Sequence, residues 1–195
     1  MHTKQFCLRL LAYAKASLLM SLEGLNREDI LWQPEPGKNN IGWNACHVGQ
    51  FIGSLIWFFD DEPDWECLDP FIHFGHESDP DKLRDEIPDK EEIVRLIHKD
   101  WELFLVRFQA SEESDFEKEV PLNNPDGETL LDMCHRTAWH AHHHIGLICA
   151  LRSMQGKPTF PRPTFGSKAR RELKASSETR WEDILTAGGE EWAYE

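Results

Sequence analysis

The chain is poor in basic residues: 21 Lys and Arg stand against 35 Asp and Glu in 195 residues, which gives a formal charge of −14. No stripe dense in Lys and Arg offsets this imbalance. A surface of this kind repels phosphate groups, and the repulsion weakens binding to nucleic acids. The composition therefore excludes nucleic acid as a main partner and disfavours an anionic membrane surface.

Paired cysteines and long apolar runs are also missing. The five cysteines are odd in number, widely spaced and without a CxxC pair, so neither a disulfide framework nor a four-cysteine zinc site is expected. Arg9 and Lys15 interrupt the apolar run near the start, so no signal-peptide core or membrane span is predicted. We expect a reduced, cytoplasmic protein with no membrane partner.

Alternating apolar and polar residues, which are typical of strands, are almost absent. Four segments have helical periodicity instead, at about residues 4–25, 41–59, 89–109 and 129–155. Asn40 is expected to cap the second helix, and Gly156 and Pro158 to end the fourth. The sequence therefore predicts an all-α fold, a four-helix bundle with a long connection between its second and third helices.

The bundle is expected to form a domain over residues 1–158, followed by an extension over residues 159–195. Trp181, Ile184 and Leu185 indicate one more short helix in this extension. We expect the extension to pack on the bundle or on a partner subunit. The connection over residues 60–88 is long for a compact domain, and connections of this length often act as lids.

Histidines are concentrated in the fourth predicted helix, in the stretch WHAHHHIGLI at residues 139–148. Because residues four apart point in nearly the same direction, His140 and His144 share a face of this helix, whereas His142 points away from both. His143 belongs to a weaker neighbouring stripe. The apolar seam that contains His140 and His144 is otherwise made of Met133, Thr137, Leu147 and Leu151.

Two imidazoles side by side in a core need partners, because burying an unpaired polar group is costly. Both rings could be neutral and hydrogen-bonded, or both could bind one metal ion, which the i, i+4 spacing allows. His47 in the second predicted helix is the candidate third ligand, since bundles build metal sites from facing helices. Three histidines leave coordination positions open, which is typical of catalytic sites.

The remaining histidines and the cysteines are expected to have structural or surface positions. His98 and His135 are predicted to be exposed. His73 and His76 lie in the long connection, where a lid could place one of them over a pocket. Three cysteines are predicted to be small core residues: Cys46, Cys134 and Cys149.

Two segments resemble the DinB-like superfamily. The segment WHAHHHIGLICALRSMQGKP is similar to the last helix of that family, in which two histidines four residues apart precede an arginine and Gly-x-Pro. The matching residues are His140, His144, Gly146, Ile148, Arg152, Gly156 and Pro158. The segment NIGWNACHVGQF resembles the second helix of the family, where a Trp precedes a His by four residues, here Trp43 and His47. The resemblance covers roughly residues 6–158.

This resemblance implies an up-down-down-up bundle in which His47, His140 and His144 bind a divalent metal ion. Zinc and nickel suit imidazole ligands, and iron is a further candidate. Relatives include transferases and isomerases that act with low-molecular-weight thiols. The resemblance therefore implies a metal-dependent transferase or hydrolase whose substrate is a small molecule, for example a low-molecular-weight thiol. It also implies a homodimer.

Two positions depart from the family pattern. Leu147 stands where the family often has Gln, and Phe51 stands where relatives often have an acidic residue. The enzyme remains the leading hypothesis, and these departures support one alternative, a noncatalytic small-molecule-binding or stress-related interaction module with a vestigial metal site. A third possibility is that the histidines serve only as hydrogen-bonded core residues.

Overall fold

The computed structural model describes residues 3–59, 71–75, 77–120 and 127–158. These residues form five helices: α1 (Thr3–Ser21), α2 (Arg27–Leu31), α3 (Ile41–Ser54), α4 (Lys90–Ala110) and α5 (Leu130–Met154). Short 3₁₀ turns lie at Leu55–Phe59, Phe71–His73 and Glu113–Glu117. The only β-type pairing in the described ranges is an isolated bridge between Glu119 and Thr129. The predicted all-α class is confirmed.

The four long helices form a closed ring in the order α1, α5, α3, α4. The most extensive contact is between α1 and α5, followed by those of α3 with α5 and with α4. The ring closes where Lys15 of α1 places its ammonium group 5.0 Å from the centre of the Trp101 ring of α4. None of the described helices has the length and apolar character that a membrane crossing needs.

Contacts between helix ends give the direction of each helix. Arg152 at the end of α5 donates to the carbonyl oxygen of Ser21 at the end of α1, over 2.9 Å, so these helices run parallel. Lys4 at the start of α1 donates to the carbonyl oxygen of Ser111 after α4, over 2.6 Å, so α4 runs the other way. Since Asn44 of α3 contacts His144 of α5 while His47 contacts the earlier His140, α3 is antiparallel to α5. The topology is up-down-down-up.

The predicted faces of the first and third helices are buried in the core. The apolar residues of these faces that are buried are Leu11, Leu18, Leu22, Leu25, Ile93, Ile97, Trp101, Phe104 and Phe108. The predicted first helix was too long, because it ends at Ser21 and a turn follows in which Gly24 has a φ of 68°. The short α2 comes next. The predicted helix over residues 41–59 is α3 followed by a 3₁₀ turn.

The predicted seam of α5 is only partly correct. Leu147 is 39 % exposed, and Ile148 is buried in its place. A straight α-helix drifts relative to a strict seven-residue repeat, so the buried face shifts along a helix of this length. Cys149 lies at the edge of the core rather than inside it, and His98 is half-buried rather than exposed.

The described part of the long connection packs against α3. Phe71 and Phe74 are fully buried. Phe71 approaches α3 at Gly49, where a Cβ atom would lie only 2.6 Å from Cε2 of the phenyl ring. Residues 60–70 and His76 of the predicted lid lie outside the described residues, as do the extension 159–195 and its predicted short helix.

Candidate metal centre

The three histidines that the sequence singles out converge between α3 and α5. One ring nitrogen from each of His47, His140 and His144 lies within 4.8 Å of the other two. The centroid of the His144 ring is 4.6 Å from those of His47 and His140. His47 and His144 are buried, and His140 is half-buried. Among the described residues, no carboxylate or thiol joins this group.

The capped start of α3 places its polar residues at defined positions. The side-chain oxygen of Asn40 accepts a hydrogen bond from the backbone N–H of Trp43 at 2.7 Å, which confirms the predicted N-cap. Asn44 follows one turn later, and His47 lies three residues beyond it on the same side of the helix. Asn40, Asn44 and His47 are all buried.

The ring of His47 is oriented by the backbone of the long connection. Its Nδ1 lies 2.6 Å from the carbonyl oxygen of Phe74. A carbonyl oxygen can only accept a hydrogen bond, so Nδ1 carries the proton and Nε2 retains a lone pair. That Nε2 lies 3.0 Å from Nε2 of His140. The unprotonated nitrogen of His47 is therefore directed into the cluster.

The ring of His144 has a different partner. Its Nδ1 lies 2.8 Å from the side-chain oxygen of Asn44. The ring of Trp43 is tilted against the same imidazole, with centroids 6.1 Å apart. His144 of α5 is thus oriented by residues of α3.

Aromatic rings line two sides of the cluster. Trp43 stacks on His47 with centroids 4.8 Å apart, and its indole N–H donates to the Ser78 hydroxyl oxygen at 3.0 Å. Phe51 stacks on His140 with centroids 4.0 Å apart. These rings replace water with low-dielectric material, which strengthens electrostatic interactions between the imidazoles and a bound charge. At the position of Phe51 the site therefore has an aromatic ring where relatives often have a carboxylate.

The nitrogen geometry fits one shared cation. Two ligands of a tetrahedral zinc ion, each at about 2.0–2.1 Å, lie about 3.3 Å apart. The 3.0 Å between the Nε2 atoms of His47 and His140 is close to this value. The same distance also suits an Nε2–H of His140 donating to His47, which is the hydrogen-bonded alternative. The three nitrogens lie within 4.8 Å of one another, so the group could hold one metal ion.

The other candidate residues lie outside the cluster. His73, His135, His142 and His143 are exposed. Cys46 is fully buried beside His47, and burial raises the pKa of its thiol far above the ordinary value of 9.0. A thiol that stays protonated is a poor nucleophile, in line with its predicted core position.

Sequence reasoning missed the two groups that orient the buried imidazoles. Asn44 had a signal, because it is a polar residue between the Trp43 and His47 positions of the recognised pattern. The carbonyl oxygen of Phe74 had none, since every residue has this group. Only the path of the chain brings residue 74 to His47.

Comparison with known proteins gives a family match. A family model described as DinB superfamily matches residues 10–148, a stretch that contains all three histidines of the cluster. Comparisons with curated proteins and with solved structures give no match. The family match covers well over half of the chain and runs from α1 into the second half of α5. The chain therefore belongs to the DinB superfamily.

Proposed function

We propose that His47, His140 and His144 bind one divalent ion, zinc, nickel or iron, and that the protein is a metal-dependent enzyme. The reaction class we propose is transfer to a low-molecular-weight thiol, or hydrolysis of a small molecule. The observation that carries the proposal is the convergence of three imidazole nitrogens between two helices, with the Nε2 lone pair of His47 facing inward.

The surroundings of the imidazoles support metal binding. Histidine ligands usually donate their second ring N–H to a carbonyl, carboxylate or water, and such partners hold the ring in its binding orientation. Nδ1 of His47 has the Phe74 carbonyl oxygen at 2.6 Å, and Nδ1 of His144 has the Asn44 amide oxygen at 2.8 Å. In His47 this partner is on Nδ1, whereas Nε2 faces His140.

The chain would provide a partly open, water-poor site. Three imidazole ligands leave at least one coordination position free. Trp43 and Phe51 cover two sides, and His140 is the most exposed of the three histidines, so we expect a small molecule to approach from its side. A divalent ion bound there supplies Lewis acidity, which makes a bound water or thiol acidic near neutral pH.

Metal content tests the first half of the proposal. Protein purified without a histidine tag is expected to contain about one equivalent of metal, and His144→Ala to contain far less. His142→Ala is the matched control, because His142 is exposed on the same helix, lies outside the cluster and has its Nδ1 against the Ala138 carbonyl oxygen of its own helix. If chelation leaves the melting temperature unchanged and the two variants have equal metal contents, the histidines are hydrogen-bonded core residues only.

Turnover tests the second half. The metal-loaded protein is expected to conjugate low-molecular-weight thiols to an electrophile such as monochlorobimane, or to hydrolyse a small ester or amide. Activity should disappear on chelation and in His144→Ala. Metal binding without turnover would favour a noncatalytic small-molecule-binding module. The specific observation in favour of that alternative is the phenyl ring of Phe51, which stacks on His140 where relatives often have an acid.

A further inference from the structure

We infer that Asn44 is a positioning residue that determines which ring nitrogen of His144 faces the metal cluster. Its predicted effect on metal affinity rests on the proposed function. Its effect on the His144 ring does not, because the hydrogen bond joins two residues of this chain.

The orientation of the Asn44 amide follows from its second partner. The side-chain nitrogen of Asn44 donates to the carbonyl oxygen of Asn40 at 2.8 Å. A backbone carbonyl oxygen cannot donate, so the NH₂ group of the amide must be on this side. The amide oxygen is then fixed on the opposite side, 2.8 Å from Nδ1 of His144. A flipped amide would place two acceptors against each other at the carbonyl.

The amide oxygen in turn fixes the proton on His144. An amide oxygen only accepts, so Nδ1 of His144 must carry the hydrogen, and Nε2 of the neutral ring then has the lone pair. Nε2 becomes the nitrogen available to a cation. The same form is imposed on His47 by the Phe74 carbonyl oxygen, so both buried imidazoles present the same nitrogen.

The arrangement is built on the first turn of α3 and is held there by hydrogen bonds. Asn40 and Asn44 are fully buried, and the Asn40 carbonyl oxygen also accepts the backbone N–H of Asn44 at 3.2 Å. One short segment of α3 therefore supplies the ligand His47 and orients the ligand His144 of the facing helix. The orientation of His144 depends on the register of α3 against α5.

Three variants separate the two hydrogen bonds of Asn44. Asn44→Asp keeps an acceptor for His144 and loses the donor to the Asn40 carbonyl. Asn44→Leu keeps the number of side-chain heavy atoms and the branch at Cγ, adds volume and loses both hydrogen bonds. Asn40→Ala is the matched structural control, because it removes the helix cap but retains the backbone carbonyl and Asn44. All three are expected to lower the urea midpoint of the full-length protein.

Zn²⁺ affinity is measured by competition with a chromophoric chelator. It should fall only in the variant that has no hydrogen-bond acceptor for His144, whatever the loss of folding stability in the other variants. Asn44→Leu is expected to bind Zn²⁺ about 10–100-fold more weakly, the usual effect of losing a partner of a histidine ligand. Asn44→Asp and Asn40→Ala should bind Zn²⁺ at least as tightly as the wild type. Equal losses of affinity in Asn44→Leu and Asn40→Ala would show a merely structural role and overturn the inference.

Nitrogen-15 NMR of the metal-free protein supplies the second readout, at mildly alkaline pH where imidazoles are neutral. The His144 ring is expected to carry its proton on Nδ1 in the wild type and to lose this preference in Asn44→Leu. A proton on Nε2 in the wild type would overturn the inference even if Zn²⁺ binds. If the wild type binds no Zn²⁺ but has the Nδ1 proton, the proposed function fails and the role of Asn44 in orienting His144 stands.

Discussion

The contact between Gly49 and Phe71 allows a sharp test of how the long connection supports the cluster. In Gly49→Ala the new methyl group would lie 2.6 Å from Cε2 and 2.8 Å from Cδ2 of the Phe71 ring. Ordinary carbon–carbon contacts are about 3.5–4.0 Å, so the fully buried ring must move by about 1 Å. Overpacking of this kind costs about 1–3 kcal/mol.

The displacement of the Phe71 ring should reach the histidine cluster through the turn at residues 71–74. The backbone N–H of Phe74 donates to the carbonyl oxygen of Phe71 at 3.0 Å, so the two residues move together. A shift of about 1 Å would stretch the 2.6 Å hydrogen bond between Nδ1 of His47 and the Phe74 carbonyl oxygen beyond the useful range. Zn²⁺ affinity is then expected to fall about 10–100-fold, as for other lost partners of ligating histidines.

Gly146→Ala is the matched control. A Cβ atom at this exposed position of α5 meets nothing within 4 Å. Both substitutions gain up to about 1 kcal/mol of helix propensity, so the difference between their unfolding free energies isolates the overpacking term. We expect Gly49→Ala to be less stable than Gly146→Ala by about 1–3 kcal/mol in urea unfolding of the metal-free proteins.

A double variant supplies an internal check. Phe71→Leu removes the ring atoms that the new methyl group would meet, so Gly49→Ala should cost much less in its presence. Equal stability and equal Zn²⁺ affinity of Gly49→Ala and Gly146→Ala would show that Phe71 does not couple α3 to the cluster. An effect of Gly49→Ala that is the same with and without Phe71→Leu would show the same.

Two further predictions concern pH and assembly. Asp100 of α4 is buried, and burial raises the pKa of its carboxyl group from 3.8 to about 6, against the opposing effect of Lys99. The native state therefore retains this proton more strongly than the unfolded state, and stability is lost as pH rises from 3.8 to about 6. Asp100→Asn should remove this loss. Its free energy of unfolding in urea should exceed that of the wild type by about 3 kcal/mol at neutral pH, and the two should be nearly equal at low pH. The same pH dependence of stability in both proteins would contradict the raised pKa of Asp100. The homodimer stays a prediction: light scattering should give twice the 22.7 kDa of one chain, and a single-chain mass at all concentrations would rule it out.

The fold was predictable where its signal is local. The apolar period of α4, with Ile93, Ile97 and Trp101 on one face, identified a buried face that the structure confirms. The cap at Asn40 was readable for the same reason, since a cap depends on residues a few positions apart. Two details were predicted wrongly: α1 ends at Ser21 rather than near Leu25, and Leu147 is exposed rather than buried. Apolar spacing alone locates neither a turn after a helix nor the drift of a buried face along a helix.

The site was predictable only in part. The spacing of His140 and His144 placed two rings on one face, and the bundle topology with the family pattern suggested His47. The partners of these rings depend on tertiary placement. The carbonyl oxygen of Phe74 reaches His47 because Phe71 packs on Gly49, and no property of the sequence near residue 74 indicates this contact.

Because α1 pairs with α5, the first helix of the chain packs mainly against the last described helix. As the chain is synthesised, α1 emerges early with an apolar face whose main contact surface does not yet exist. The same late helix brings His140 and His144, so the cluster is assembled in the step that completes the ring. A chain stalled before residue 130 would therefore lack a closed core and would have only His47 of the three clustered histidines.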